Sequence, residues 1–144
     1  MKRTLAVAAV ALALAAAAHA EGLDVIQTRQ AGQDLMLADF AGIRAVVMLK
    51  GDVKTLQKPA LAMARWMKGF PTMFPPGSDK GENTKALPAI WTNNTGFRND
   101  AANFVETANA LAEAAKSGDT AAVAKQINAV NDACSACHHD FRAK

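Results

Sequence analysis

Cys134 and Cys137 are the only cysteines in a chain of 144 residues, and His138 and His139 follow them directly in the stretch CSACHH. In a helix, positions i, i+3 and i+4 share one face, so Cys134, Cys137 and His138 converge on a single interior point. A fold built on this chain must carry that stretch on a helix and leave room beside it. Three chemistries use such a pattern: a redox disulfide, a metal site, or covalent attachment of haem. C-x-x-C-H is the attachment signature of c-type haem. The two thiols add to the vinyl groups, and the following histidine reaches the iron as axial ligand.

The rest of the chain is patterned to build such a helix and its partners. Strand-like alternation is absent, and Ala, Leu, Met, Gln and Lys, all good helix formers, dominate. Four helices are predicted. The first runs from about Leu23 to Lys50 and stops at Gly51, a natural C′ residue. The second runs from about Leu56 to Gly69, with Pro59 in the first turn, where backbone N–H groups have no helical partner. The third covers about Thr95 to Lys116. Asp119 caps the fourth, which continues to about Arg142. FPTMFPPGSDKGENTKALP joins the second to the third, and its four prolines predict an irregular connection.

Each helix carries one apolar stripe. The fourth has Val123, Ile127, Val130, Cys134, Cys137 and Phe141; the third has Phe97, Ala101, Phe104, Ala108, Leu111 and Ala115. The second has Leu56, Ala60, Met63, Met67 and Phe70. Such stripes bury one another in an antiparallel four-helix bundle, an all-α fold. The first stripe reads Ile26, Arg29, Gln33, Met36, Phe40, Ile43, Val47. Two polar side chains point where a core should be, and leaving each unpaired costs on the order of 1–3 kcal/mol. Something polar is therefore expected inside the bundle near Arg29 and Gln33.

The first twenty residues read as a secretory leader. Lys2 and Arg3 precede an apolar stretch, Leu5 to Ala18, too short to span a bilayer, and AHA at 18–20 is a small-x-small cleavage signal. Cleavage after Ala20 leaves residues 21–144 as one exported, periplasmic domain with no membrane insertion expected. Two of the sixteen basic residues leave with the leader, against thirteen acidic ones, so the remaining chain is nearly neutral. Basic residues are scattered and aromatics do not interleave with them, which speaks against nucleic acid. With both remaining histidines beside the cysteines, no Ser/His/Asp constellation is available, and no Gly-rich phosphate cradle appears. Catalysis proper is not expected.

The competing readings of CSACHH are weaker. A structural zinc site needs four protein ligands, and His138 and His139 diverge by about 100° on a helix. A thioredoxin-like C-x-x-C opens a helix after a strand, whereas this one lies near a helix C-terminus. A disulfide closing so small a loop stabilises little.

TRQAGQDLM in the first helix, LPAIW after the connection and CSACHHDFRAK near the C-terminus together resemble the cytochrome c′ family, the class II c-type cytochromes, across residues 21–144. The resemblance implies one haem c enclosed by the bundle, bonded through Cys134 and Cys137 with His138 as proximal ligand. It implies that Arg29 and Gln30 lie along the haem propionates, with Glu82 as a further haem-edge contact and Arg142 as the basic residue beside the proximal histidine. It also implies redox partner proteins, binding of NO or CO, and a homodimer through the first two helices. At the distal position, where the family commonly has Leu or, in low-spin relatives, Met, this chain has Gln33. Met36, one turn further, is the one thioether on that stripe. The expected function is electron transfer or binding of small diatomic gases at a five-coordinate iron. One alternative is a low-spin electron carrier with Met36 as sixth ligand. Another is a haem-free helical interaction module whose cysteines form a disulfide.

Overall fold

Helix-favouring composition and stripes of 3.6-residue period become five helices in a computed structural model, which describes residues 2–144 and, from Val25 onward, their side chains. The helices are α1 Lys2–Met48, α2 Gln57–Gly69, α3 Ala89–Thr92, α4 Asn94–Ser117 and α5 Thr120–Phe141. The expected leader, with its cleavage after Ala20, lies outside the residues whose side chains are described. α1 also continues through Leu23, where a start was expected, because the alanine-rich sequence before it is itself a strong helix former.

The helix ends follow local chemistry. Gly51 was expected to take the left-handed position after α1, but Lys50 takes it instead, at φ 55°. Gly51 N–H then donates to Val46 O at 2.8 Å and Lys50 N–H to Val47 O at 3.1 Å, the two bonds of a Schellman closure. The second helical segment starts earlier than expected, as a 3₁₀ turn over Val53–Leu56 with Asp52 Oδ1 accepting from Lys54 N–H. Asn93 caps α4, accepting from Gly96 N–H, and Gly118 ends it at φ 80°. Asp119 caps α5 as expected, accepting from Ala122 N–H at 2.9 Å.

The connection is more ordered than its prolines suggested. Phe70–Met73 is a second 3₁₀ turn and Ala89–Thr92 forms α3. Both use proline where its missing donor is harmless: Pro71 sits in the first turn of one and Pro88 caps the other. Ala86 bridges Arg142 in antiparallel fashion, supported by Leu87 N–H to Phe141 O and Ala143 N–H to Lys85 O. The connection is thereby tied to the C-terminus.

The predicted stripes of α2 and α4 are buried at every named position. α4 packs along both α2 and α5, while α1 lies on α2 and the connection and scarcely meets α5. At the connection end the core is aromatic. Phe97 touches Phe74 and Phe141 edge-on at centroid distances of 5.0 and 5.3 Å, and Phe70 in a tilted arrangement. Phe97→Ala should remove about 3–5 kcal/mol of stability, because the surrounding rings cannot collapse into the space left. Chemical denaturation should show this as a lower midpoint with an unchanged slope.

Candidate haem-attachment site

The last turns of α5 carry the motif. Cys134 and Cys137 are half-buried at the edge of the core, although their stripe neighbours Val123 and Val130 are fully covered. The inner stripe of α1 shows the same break in cover. Ile26, Arg29, Phe40 and Ile43 are buried, while Gln33 and Met36 between them are only half-covered. The two stripes that should close on each other, α1 and α5, are the pair that scarcely touches.

The thiols are poor nucleophiles in this setting. Burial, reinforced by the nearby carboxylates Asp100 and Asp140 and by Cys134, pushes the Cys137 thiol up to about 12, and burial raises Cys134 as well. A thiol-exchange centre needs the opposite shift, so the redox-disulfide alternative loses support. His138 lies at the exposed end of α5. Partial burial and then the Arg142 charge lower its pKa, which favours the neutral imidazole that a metal binds. The backbone N–H of Arg142 donates to His138 O at 3.3 Å, closing the last turn of α5. His139 turns outward, with Nδ1 2.6 Å from Asp140 Oδ1. Among the described residues no three His, Cys, Asp or Glu side chains are gathered around a point that could hold a bare metal ion.

The polar break in α1 is satisfied by the connection. Arg29 is 3 % exposed. Its Nη1 donates to Met73 O at 3.1 Å and Ser78 Oγ at 3.0 Å, and its Nη2 to Ser78 O at 2.7 Å and Thr84 Oγ1 at 2.8 Å. The guanidinium also lies 4.3 Å from the centre of the Phe74 ring. Burial lowers its pKa, yet arginine starts so high that it stays charged. All these acceptors are neutral, and no described carboxylate pairs with it. Gln30 Nε2 donates to Glu82 O at 3.0 Å, so Glu82 enters through its backbone while its side chain is exposed. The resemblance did not point to Ser78, which is completely buried. The demand for a polar partner was visible in Arg29, but nothing in PPGSDKGENT marks which hydroxyl would be drawn inside.

Trp66 packs against Phe70. It also lies directly on α1: a Cβ at Gly32 would overlap the six-membered ring of its indole. Its Nε1 is buried with no acceptor. A glycine in the middle of a helical pattern costs about 1 kcal/mol against alanine, so Gly32 was a visible hint of close approach. Trp91, by contrast, donates to Phe74 O at 3.0 Å.

These residues fit a covalently held haem: two thiols and an imidazole on one turn, stripes left uncovered opposite them, a buried cation without an anion, and a buried N–H without an acceptor. Residues 24–142 match the family model described as Cytochrome C′. A cytochrome c′ of Allochromatium vinosum is 36 % identical over 156 aligned positions covering the whole of both chains. Among solved structures, a cytochrome c′ described as having a ligand-controlled dimer dissociation matches with TM-score 0.79 and 31 % identity, over 84 % of this chain and 95 % of that one. The nitric oxide complex of a mutant cytochrome c prime from Alcaligenes xylosoxidans matches with TM-score 0.75 and 25 % identity, over 84 % and 94 %. The chain belongs to the cytochrome c′ family. It is accordingly a four-helix-bundle haem c protein, and Cys134 and Cys137 are the two cysteines of its C-x-x-C-H motif.

Arg29→Leu should cost about 3 kcal/mol or more, since it strips four hydrogen bonds and leaves the buried Ser78 hydroxyl and carbonyl short of a donor. Denaturant titration reads the loss, and limited proteolysis should show new cleavage within residues 75–85.

Proposed function

We propose that the chain is an exported, periplasmic monohaem cytochrome whose iron is bound by His138, is five-coordinate, and takes up electrons or a small diatomic gas, nitric oxide or carbon monoxide. Bound haem c supplies a redox-active iron with one open coordination position. The observation that carries the reading is the pairing of CSACHH on α5 with Gln33 at the half-covered place on α1. An amide is a weak iron ligand, so Gln33 would leave the iron open to a small ligand. Its amide could then hydrogen-bond a bound ligand. Met36 is packed against the core and serves as filling, the usual use of a flexible thioether. Arg29 and Gln30 hold the connection against α1 and set a positive charge beside the haem carboxylates; Arg142 keeps positive charge beside His138. The nitric oxide complex among the structural relatives supports gas binding. Export rests on the leader pattern of residues 1–20. The roles are those of a carrier or sensor, with no catalytic group assigned.

The test is the absorption spectrum of protein made in a host that attaches haem c. A broad high-spin Soret band, unchanged by Met36→Ala, is expected. Sharp low-spin α and β bands that collapse in Met36→Ala would establish the six-coordinate carrier instead. No visible absorbance, with an intact mass of bare polypeptide, would leave the haem-free module.

Redox partners and a second copy of the chain are the proposed protein contacts. The outer face of α1 supports the second. Ala31, Leu35, Ala38, Gly42, Ala45 and Leu49 recur at 4-3-4-3-4 spacing and are all exposed, Leu35 by 70 % and Leu49 by 82 %. Small residues flanked by leucines let a second helix approach closely. Leu35→Asp should shift a dimer to monomer in sedimentation velocity without altering the haem spectrum.

A further inference from the structure

Two groups against α1 are left electrically or chemically incomplete. Arg29 is a buried cation whose acceptors are all neutral oxygens. Trp66 holds a buried indole N–H with no acceptor, and its ring is seated on Gly32, three residues and about one turn from Arg29. An unsatisfied buried donor costs roughly 1–3 kcal/mol, and a buried charge without its opposite costs more. A carboxylate satisfies both at once. A transient gas ligand does not, because the donor needs its acceptor in the resting protein as well.

We propose that Trp66 is a haem-carboxylate donor: its indole N–H hydrogen-bonds a propionate of the haem, in the field of the Arg29 guanidinium. Gly32 is the device that permits it, since any side chain there would push the indole off α1. The inference rests on the haem reading above and adds a residue to it. Arg29 has already spent its four Nη hydrogens on the connection, leaving only Nε–H, so a propionate beside it gains charge stabilisation but needs a further donor. Trp66 supplies that donor. It acts by holding the macrocycle, and is a positioning residue.

The experiment uses the haem-loaded protein, verified first by intact mass. Trp66→Phe keeps an aromatic ring at the position and removes the N–H. Resonance Raman should show the propionate bending mode shifted in Trp66→Phe and unshifted in Trp91→Phe, whose N–H has its own acceptor in Phe74 O. The carbon monoxide stretching frequency should be the same in both variants. A propionate mode that does not move overturns the proposal, and so does a shift confined to the carbon monoxide stretch, which would place the N–H at the iron's ligand. Should Trp66→Phe not be recovered with haem, the ¹⁵N-labelled wild type decides. In the carbon monoxide complex the Trp66 indole proton is expected downfield of free indole and slow to exchange; a proton at the free position that exchanges at once overturns the assignment. A bare polypeptide by mass would remove the haem reading and this one with it, whereas haem-loaded protein with an unmoved mode rejects the role of Trp66 alone.

Discussion

One buried guanidinium holds the first helix to the rest of the molecule. Arg29 reaches from α1 into the connection and is met by oxygens from Met73, Ser78 and Thr84. Each of those oxygens is placed by a local device: Ser78 Oγ also donates to Pro75 O, and Gly77 and Gly81 take left-handed conformations at the turns on either side. The connection is long because it must wrap the arginine, and it is ordered because the arginine gives it a buried polar centre. Phe74, against the face of the same guanidinium, continues from that polar centre into the aromatic core through Phe70, Phe97 and Trp91. Polar tie and apolar core therefore meet at one side chain.

The stripes of α2 and α4 were legible in full because they pack chiefly on other helices. Where a helix meets helices on its buried side, a 3.6-residue period is the whole instruction, and Leu56 to Phe70 and Phe97 to Ala115 obey it. The motif on α5 was legible for a different reason: Cys134, Cys137 and His138 are adjacent in sequence, so no long-range placement had to be guessed. The cap at Asp119 is equally local. What escaped was every contact between distant segments whose chemistry is generic. Ser78 is one of several polar residues in a turn-rich stretch, and its burial depends on where Arg29 happens to point. The Ala86–Arg142 bridge lacks any alternation that would announce a strand, because two residues suffice for it. Lys50 took the left-handed position from Gly51 because the two-bond closure counts residues from Val46 and Val47, and that register places the turn one residue earlier.

The half-covered side chains around the motif have a common cause. In a bundle filled by its own side chains, α1 and α5 would close on each other as tightly as α4 closes on α2. Here Gln33, Met36, Cys134 and Cys137 all stop short of burial, although each lies on its helix's inner stripe. A protein of this size does not leave two facing stripes short of contact unless another body completes the core, since every uncovered apolar group forgoes stabilisation of about 25 cal/mol per Å². A flat macrocycle with apolar faces and two carboxylates matches both the uncovered stripes and the polar groups at their end.

Because α1 and α5 scarcely touch, the distance between them is set elsewhere. Residues 85–87 are hydrogen-bonded to the backbone just beyond His138, through Phe141 O and Ala143 N–H, and residues 73–84 are hydrogen-bonded to Arg29 and Gln30. The connection is therefore one continuous strap from the imidazole-bearing end of α5 to the helix that carries Gln33. Its hydrogen bonds are short and largely to backbone, and Thr84 Oγ1 serves both ends, accepting from Arg29 and from Ala86 N–H. The separation of the two sides of the site is consequently fixed by a polar network at its edge, while its interior stays free of the direct helix–helix packing that would otherwise fill the space a cofactor needs.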